Sequence, residues 1–206
     1  MHVDLLQTLR CPGDHASSWL VASASRSEGR HIIEGVLGCP VCSAEYVIRD
    51  GAAWFGQHDN AAHVAGGISG DEDEITRIAA FLAFDERGGT YLLEGPLCVF
   101  ADALADVAPA RFVLHGPPLN CQGHAVLRGA GDAVPVTAQS LRGAALSRAS
   151  GALAQEAADA LLPKGRLVAP AETPVPNGIT VLARDERQWV GERDGTVSAP
   201  VELRRR

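Results

Sequence analysis

Residues 90–99 read Thr90-Tyr91-Leu92-Leu93-Glu94-Gly95-Pro96-Leu97-Cys98-Val99 and mark the start of an α/β pattern. A short run with an apolar centre, closed by an acid and a glycine, predicts a buried strand ending in a tight turn. Leu97 to Val107 predicts a helix, and Arg111-Phe112-Val113-Leu114-His115 a second strand of the same kind. Strands separated by a single helix predict parallel neighbours in a sheet covered on both faces. Upstream, the acidic start Asp71-Glu72-Asp73-Glu74, followed by Ile75, Ile78, Ala79 and Leu82, predicts a helix. Downstream, Ala125-Val126-Leu127 and Leu141 to Leu146 predict strands, and Ala149 to Leu162 a helix. The turn Leu162-Pro163-Lys164-Gly165 then leads into a strand, Arg166 to Pro170. The final pair, Ile179–Ala183 and Gln188–Val190, has no helix between its members and is predicted antiparallel. The expected class is α/β, with a Rossmann-like, mostly parallel sheet and helices on both of its faces.

The first 56 residues are different. Trp19-Leu20-Val21, His31 to Leu37 and Glu45 to Ile48 predict short strands, and large apolar side chains are too few to hold so small a piece together alone. The expected division is a small, mostly β unit at 1–56, a linker at 57–72 and an α/β unit at 73–206. Within the linker, Ala61–Ala65 suits a short helical turn, and His58 and His63, five residues apart, read as surface or linker residues rather than ligands. Five cysteines, an odd number, argue against a disulfide framework. Three of them, Cys11, Cys39 and Cys42, fall in the first unit, and metal binding is the leading explanation. A structural zinc site wants four nitrogen or sulfur donors on two short-spaced knuckles. Cys39-Pro40-Val41-Cys42 is an intact knuckle. The other reads Cys11-Pro12-Gly13-Asp14-His15, so the fourth ligand is either Asp14, which has the better spacing, or His15, the commoner structural donor. Cys98 and Cys121 read as ordinary buried thiols.

Three segments of this unit carry a resemblance: Leu5-Leu6-Gln7-Thr8-Leu9-Arg10-Cys11-Pro12, Gly38-Cys39-Pro40-Val41-Cys42 and Tyr46-Val47-Ile48-Arg49-Asp50-Gly51. Together they resemble the small zinc-ribbon activator subunit of tRNA, ribosomal RNA and release-factor methyltransferases. The resemblance departs at Asp14, where such ribbons carry a second cysteine. It implies a ribbon that adds an edge strand to a methyltransferase and covers its apolar surface. The second unit in turn resembles a class I methyltransferase sheet through the strand ending in Glu94-Gly95, through Gly131-Asp132-Ala133-Val134-Pro135 and through Leu162-Pro163-Lys164-Gly165.

The resemblance also implies where S-adenosylmethionine would bind: at a glycine-rich first turn, an acid after the second strand and an acid near the adenine. Here these positions hold Glu94 and Gly95, His115, and Asp132. The turn keeps one glycine. Pro96 removes an N–H, Leu97 and Cys98 bring side chains, and His115 cannot hold two ribose hydroxyls as a carboxylate would. The expected function is therefore binding or scaffolding through a protein partner or self-association. The alternative is an active methyltransferase using Glu94, Gly95, His115 and Asp132 around the cofactor. The formal charge of −7, from 18 basic and 25 acidic residues, argues against tight binding to nucleic acid. No apolar run approaches the ~20 residues of a membrane span. The first 25 residues lack a secretory pattern, so a cytoplasmic location is expected.

Overall fold

The computed structural model describes residues 1–56, 72–118, 121 and 124–195. The expected 57–72 linker, with His58 and His63, falls almost wholly outside them. The described strands are β1 (Val21–Glu28), β2 (His31–Gly38), β3 (Glu45–Arg49), β4 (Ala52–Trp54), β5 (Gly89–Glu94), β6 (Ala110–His115), β7 (Ala125–Arg128), β8 (Leu141–Ala145), β9 (Leu161–Pro170), β10 (Ile179–Arg184) and β11 (Gln188–Arg193). They form one sheet in the order β1-β2-β3-β4-β7-β6-β5-β8-β9-β11-β10. The centre, from β4 to β9, is parallel. Antiparallel strands flank it: the β1-β2-β3-β4 meander on one side, the β11-β10 hairpin on the other.

Strict alternation along the parallel strands divides the core into two layers. Tyr91, Leu93, Phe112, Leu114 and Val126 face one side, packed with Ile78 and Leu82 of the first helical segment and with Leu104. Leu92, Val113, Ala125 and Leu127 face the other, packed with Leu153, Ala154 and Ala157. So α1 (Glu72–Phe81) and α2 (Ala101–Val107) cover one face, and α3 (Gly151–Ala160) the other. This helical cover is thinner than the sequence suggests. Among the described residues no helix lies in the connections β6–β7, β7–β8 or β9–β10. The fold is a large mixed α/β sheet with few helices, and the whole is as antiparallel as it is parallel. Among the described residues no helix is long and apolar enough to cross a membrane.

The N-terminal strands fill part of that gap. β4 adds to β7 in parallel, pairing Ala52 with Val126, Ala53 with Leu127 and Trp54 with Arg128. A second tie lies outside the sheet, where Leu9 bridges Val136, the Arg10 N–H donates to the Pro135 carbonyl at 3.0 Å, and the Thr137 N–H donates to that of Thr8 at 2.7 Å. Leu9, Leu37, Ile48 and Ala53 sit in the same buried core as Leu92, Val113, Leu127, Val134 and Val136. Val3, Leu5 and Leu6, around a 3-10 turn at Val3–Gln7, pack against it. The helix-free β7–β8 connection is thus sealed by the first eleven residues rather than by a crossover helix.

Two local expectations change. The Leu97–Val107 helix is α-helical only from Ala101; Gly95–Phe100 winds as a 3-10 helix, with Pro96 in its first turn. Proline there removes a donor that the tighter turn leaves unbonded in any case. Residues 162–165, read as a turn, run inside β9 instead. The chain absorbs the extra residues as an irregularity between the Leu141–Leu161 and Gly143–Arg166 pairs, with Lys164 at φ 67°.

Candidate functional site

Two hairpin-like turns of the N-terminal unit bring Cys11, His15, Cys39 and Cys42 together, their donor atoms all within 4.8 Å of one another. In the Cys39 knuckle, the Ser43 N–H donates to the Cys39 carbonyl and the Cys39 N–H to that of Ala44, each at 2.9 Å. Ser43 reverses the chain at φ 60°. In the other, the Cys11 N–H donates to the Ser18 carbonyl at 3.0 Å and the His15 N–H to that of Gly13 at 2.9 Å. Gly13 is closely approached: a Cβ there would lie 3.1 Å from the His15 ring and 3.3 Å from the Cys11 sulfur, so a larger residue would require these side chains to shift by a few tenths of an ångström. This tight reversal carries the chain past Asp14, which stays exposed and outside the group, and folds His15 back onto the thiols.

The spacing fits a tetrahedral ion. Zinc–sulfur bonds of ~2.3 Å require sulfurs about 3.8 Å apart, and a sulfur–nitrogen edge is slightly shorter. Cys11 Sγ and Cys42 Sγ are 3.7 Å apart, and Cys39 Sγ and His15 Nε2 3.4 Å. These are two opposite edges of one tetrahedron. His15 Nδ1–H donates to the Ala16 carbonyl at 2.7 Å, which leaves the Nε2 lone pair facing the thiols. The same carbonyl, helped by the neighbouring thiols, raises the imidazole pKa of the metal-free site. Burial by itself would raise the Cys39 thiol, but N–H groups of Cys42 and Val41 bring it down to about 6. Cys11 is likewise lowered, its burial being outweighed by hydrogen bonds from Tyr46 and Gly13. Thiolate is the form a metal needs. The four residues can hold a metal ion such as zinc, which would pin two turns of a piece with little core of its own.

The other nominated residues, Glu94, Gly95, His115 and Asp132, lie around the carboxyl ends of β5, β6 and β7. Glu94 is 6% exposed, and one of its oxygens accepts from the Ser147 N–H (2.9 Å), the Ser147 hydroxyl (2.7 Å) and the Arg148 N–H (3.1 Å). The Arg148 guanidinium pairs with Asp132 at 3.1 Å and Glu94 at 3.5 Å, and donates to the Gly131 carbonyl at 3.0 Å. The Ser150 hydroxyl donates to the second Asp132 oxygen at 3.0 Å. Gly95, at φ 61°, passes so near Ser147 that a Cβ would lie 2.6 Å from its hydroxyl. His115 Nε2–H donates to the Ala133 carbonyl at 2.9 Å; its buried Nδ1 has no partner, and burial lowers its pKa. The Cys98 thiol turns inward to the Leu93 carbonyl at 3.1 Å.

Sequence reasoning missed Ser147, which binds Glu94, and Arg148, which ties Glu94 to Asp132. The available signal was position: they follow directly on an apolar strand beside β5, where such sheets gather polar groups. Two cavities lie elsewhere. One, of about 460 Å³, runs along Ala52, Trp54, Val126 and Arg128; the other, of about 510 Å³, lies near Thr90, Ala110 and Arg111. Neither is lined by the four strand-end residues.

Fold and site together define a mixed α/β protein with a Cys3His candidate metal centre formed by the segment before β1 and the β2–β3 turn. No protein-family model and no curated protein matches the chain.

Proposed function

We propose that this chain is a non-catalytic, methyltransferase-like scaffold protein. In this reading a zinc-ribbon module is fused in one polypeptide to a class I-type sheet that has lost its cofactor, and the chain acts through a protein partner or through self-association. The observation that carries the reading is the state of Glu94 and Asp132. In an active enzyme these two carboxylates would be free to face the cofactor, Asp132 at the adenine; here Ser147, Arg148 and Ser150 occupy them. The strand order β7-β6-β5-β8-β9, with its reversal between β5 and β8, supports descent from a nucleotide-type framework. Zinc would be structural, held by Cys11, His15, Cys39 and Cys42.

One observation favours the alternative, an active S-adenosylmethionine-dependent enzyme with an atypical loop. The buried His115 Nδ1 lacks a donor, and a ribose hydroxyl is one group that would satisfy it. Titration calorimetry with S-adenosylmethionine and with S-adenosylhomocysteine separates the two. No heat of binding at millimolar ligand is the expected result. Micromolar binding that disappears in His115→Ala would overturn the scaffold reading.

A further inference from the structure

The Tyr46 hydroxyl lies 3.2 Å from Cys11 Sγ. Tyr46 is half-buried on β3, and its ring packs on Phe55 at a centroid distance of 4.8 Å. Phe55 follows β4 directly, and its N–H donates to the Arg128 carbonyl at 2.8 Å, at the seam with β7. The ring is therefore held from the sheet side, and the hydroxyl is aimed at one particular sulfur. A metal-bound cysteine has lost its proton, so in the loaded site only the phenol can donate. The same sulfur also receives the Gly13 N–H at 3.4 Å.

We infer that Tyr46 is a positioning residue of the metal centre: it donates a hydrogen bond to the Cys11 thiolate, fixes the direction of that ligand, and raises the affinity of the site. This deepens the metal part of the proposed function and rests on it. Hydrogen bonds to ligating atoms orient them and reduce the charge that the thiolate pushes onto the ion, and their removal typically costs ~10–100-fold in metal affinity. Phe55 contributes by holding the ring rather than by touching the site.

The test uses the full chain with zinc and with cobalt(II) as probes. Tyr46→Phe keeps the ring and its packing and removes only the hydroxyl. Zinc affinity, read by competition with a chromophoric chelator, is expected to fall ~10–100-fold. The thiolate-to-cobalt charge-transfer band is expected to move, while the melting temperature of the metal-free protein stays where it was. Phe55→Leu, which loosens the packing but leaves the hydroxyl, is expected to shift the band clearly less than Tyr46→Phe does. Unchanged affinity and band in Tyr46→Phe, or an equal band shift in Phe55→Leu, would overturn the inference while leaving the metal site intact. Absence of stoichiometric zinc binding by the wild-type chain would overturn the metal reading itself, and this inference with it.

Discussion

Leu9→Ala takes three carbons from a side chain that is 0% exposed and lies between the N-terminal meander and the α/β strands. Its backbone stays in place, because Leu9 N–H donates to the Leu5 carbonyl and the flanking Thr8 and Arg10 are bonded to Thr137 and Pro135. The loss is therefore one of transfer and cavity rather than of local unfolding. Leucine-to-alanine changes in cores cost ~2–5 kcal/mol, depending on how far the site can collapse. Sheet backbone on one side and the tied 129–140 connection on the other restrict collapse here, so about 3 kcal/mol is a central expectation. In a chain of this size that corresponds to a fall in melting temperature of roughly 6–12 °C. Scanning calorimetry of metal-loaded protein is the assay. Because Leu9, Ile48, Ala53, Leu92 and Leu127 share one core, the wild type should unfold in one transition and the variant should shift all of it. Two transitions, of which only a small early one moves, would show that the meander folds independently and would refute the shared-core argument.

The metal centre gives a second prediction: His15→Ala should lose stoichiometric zinc and Asp14→Ala should keep it, as read by elemental analysis after gel filtration. The reverse result would move the fourth ligand to Asp14. His115 gives a third. Its folded pKa lies below the ordinary value of ~6.5, so the unfolded chain binds the extra proton first. The contribution is present above about pH 6.5 and is lost as pH falls through the folded value. His115→Gln should therefore narrow the gap in melting temperature between pH 7.5 and pH 5.5. An unchanged gap would show that this imidazole is not the group responsible.

The buried parallel strands were legible because their side chains must be apolar on both faces; β5, β6 and the Arg166–Pro170 end of β9 read as largely apolar runs. β4 was not. Ala52-Ala53-Trp54 is a three-residue strand of mostly small side chains just after a turn, and its role depends on Val126, Leu127 and Arg128, which are distant in sequence. β1 was read only at its start, because Ala22 to Glu28 is an exposed edge with no alternation to detect. Three metal-site cysteines could be picked out by spacing. Choosing between Asp14 and His15 required the reversal at Gly13, where the His15 N–H bonds back to the Gly13 carbonyl and the Cys11 N–H to that of Ser18, a geometry that composition does not announce. The same limit hid Ser147 and Arg148, whose importance lies in facing Glu94 from the loop that follows β8.

The pairing of β4 with β7 also sets a timetable for synthesis. Trp54 and its partner Arg128 are separated by 128 − 54 = 74 residues. At ribosomal speeds of ~5–20 residues per second, β4 waits roughly 4–15 s for that partner to be made. During that interval the emerging meander has an unpaired edge, and Leu37 and Ile48 lack the later part of their core, including Leu92, Val113 and Leu127. A metal ion held by Cys11, His15, Cys39 and Cys42, all translated before residue 43, would add to the β1–β4 ladders a tie that is available before the rest arrives.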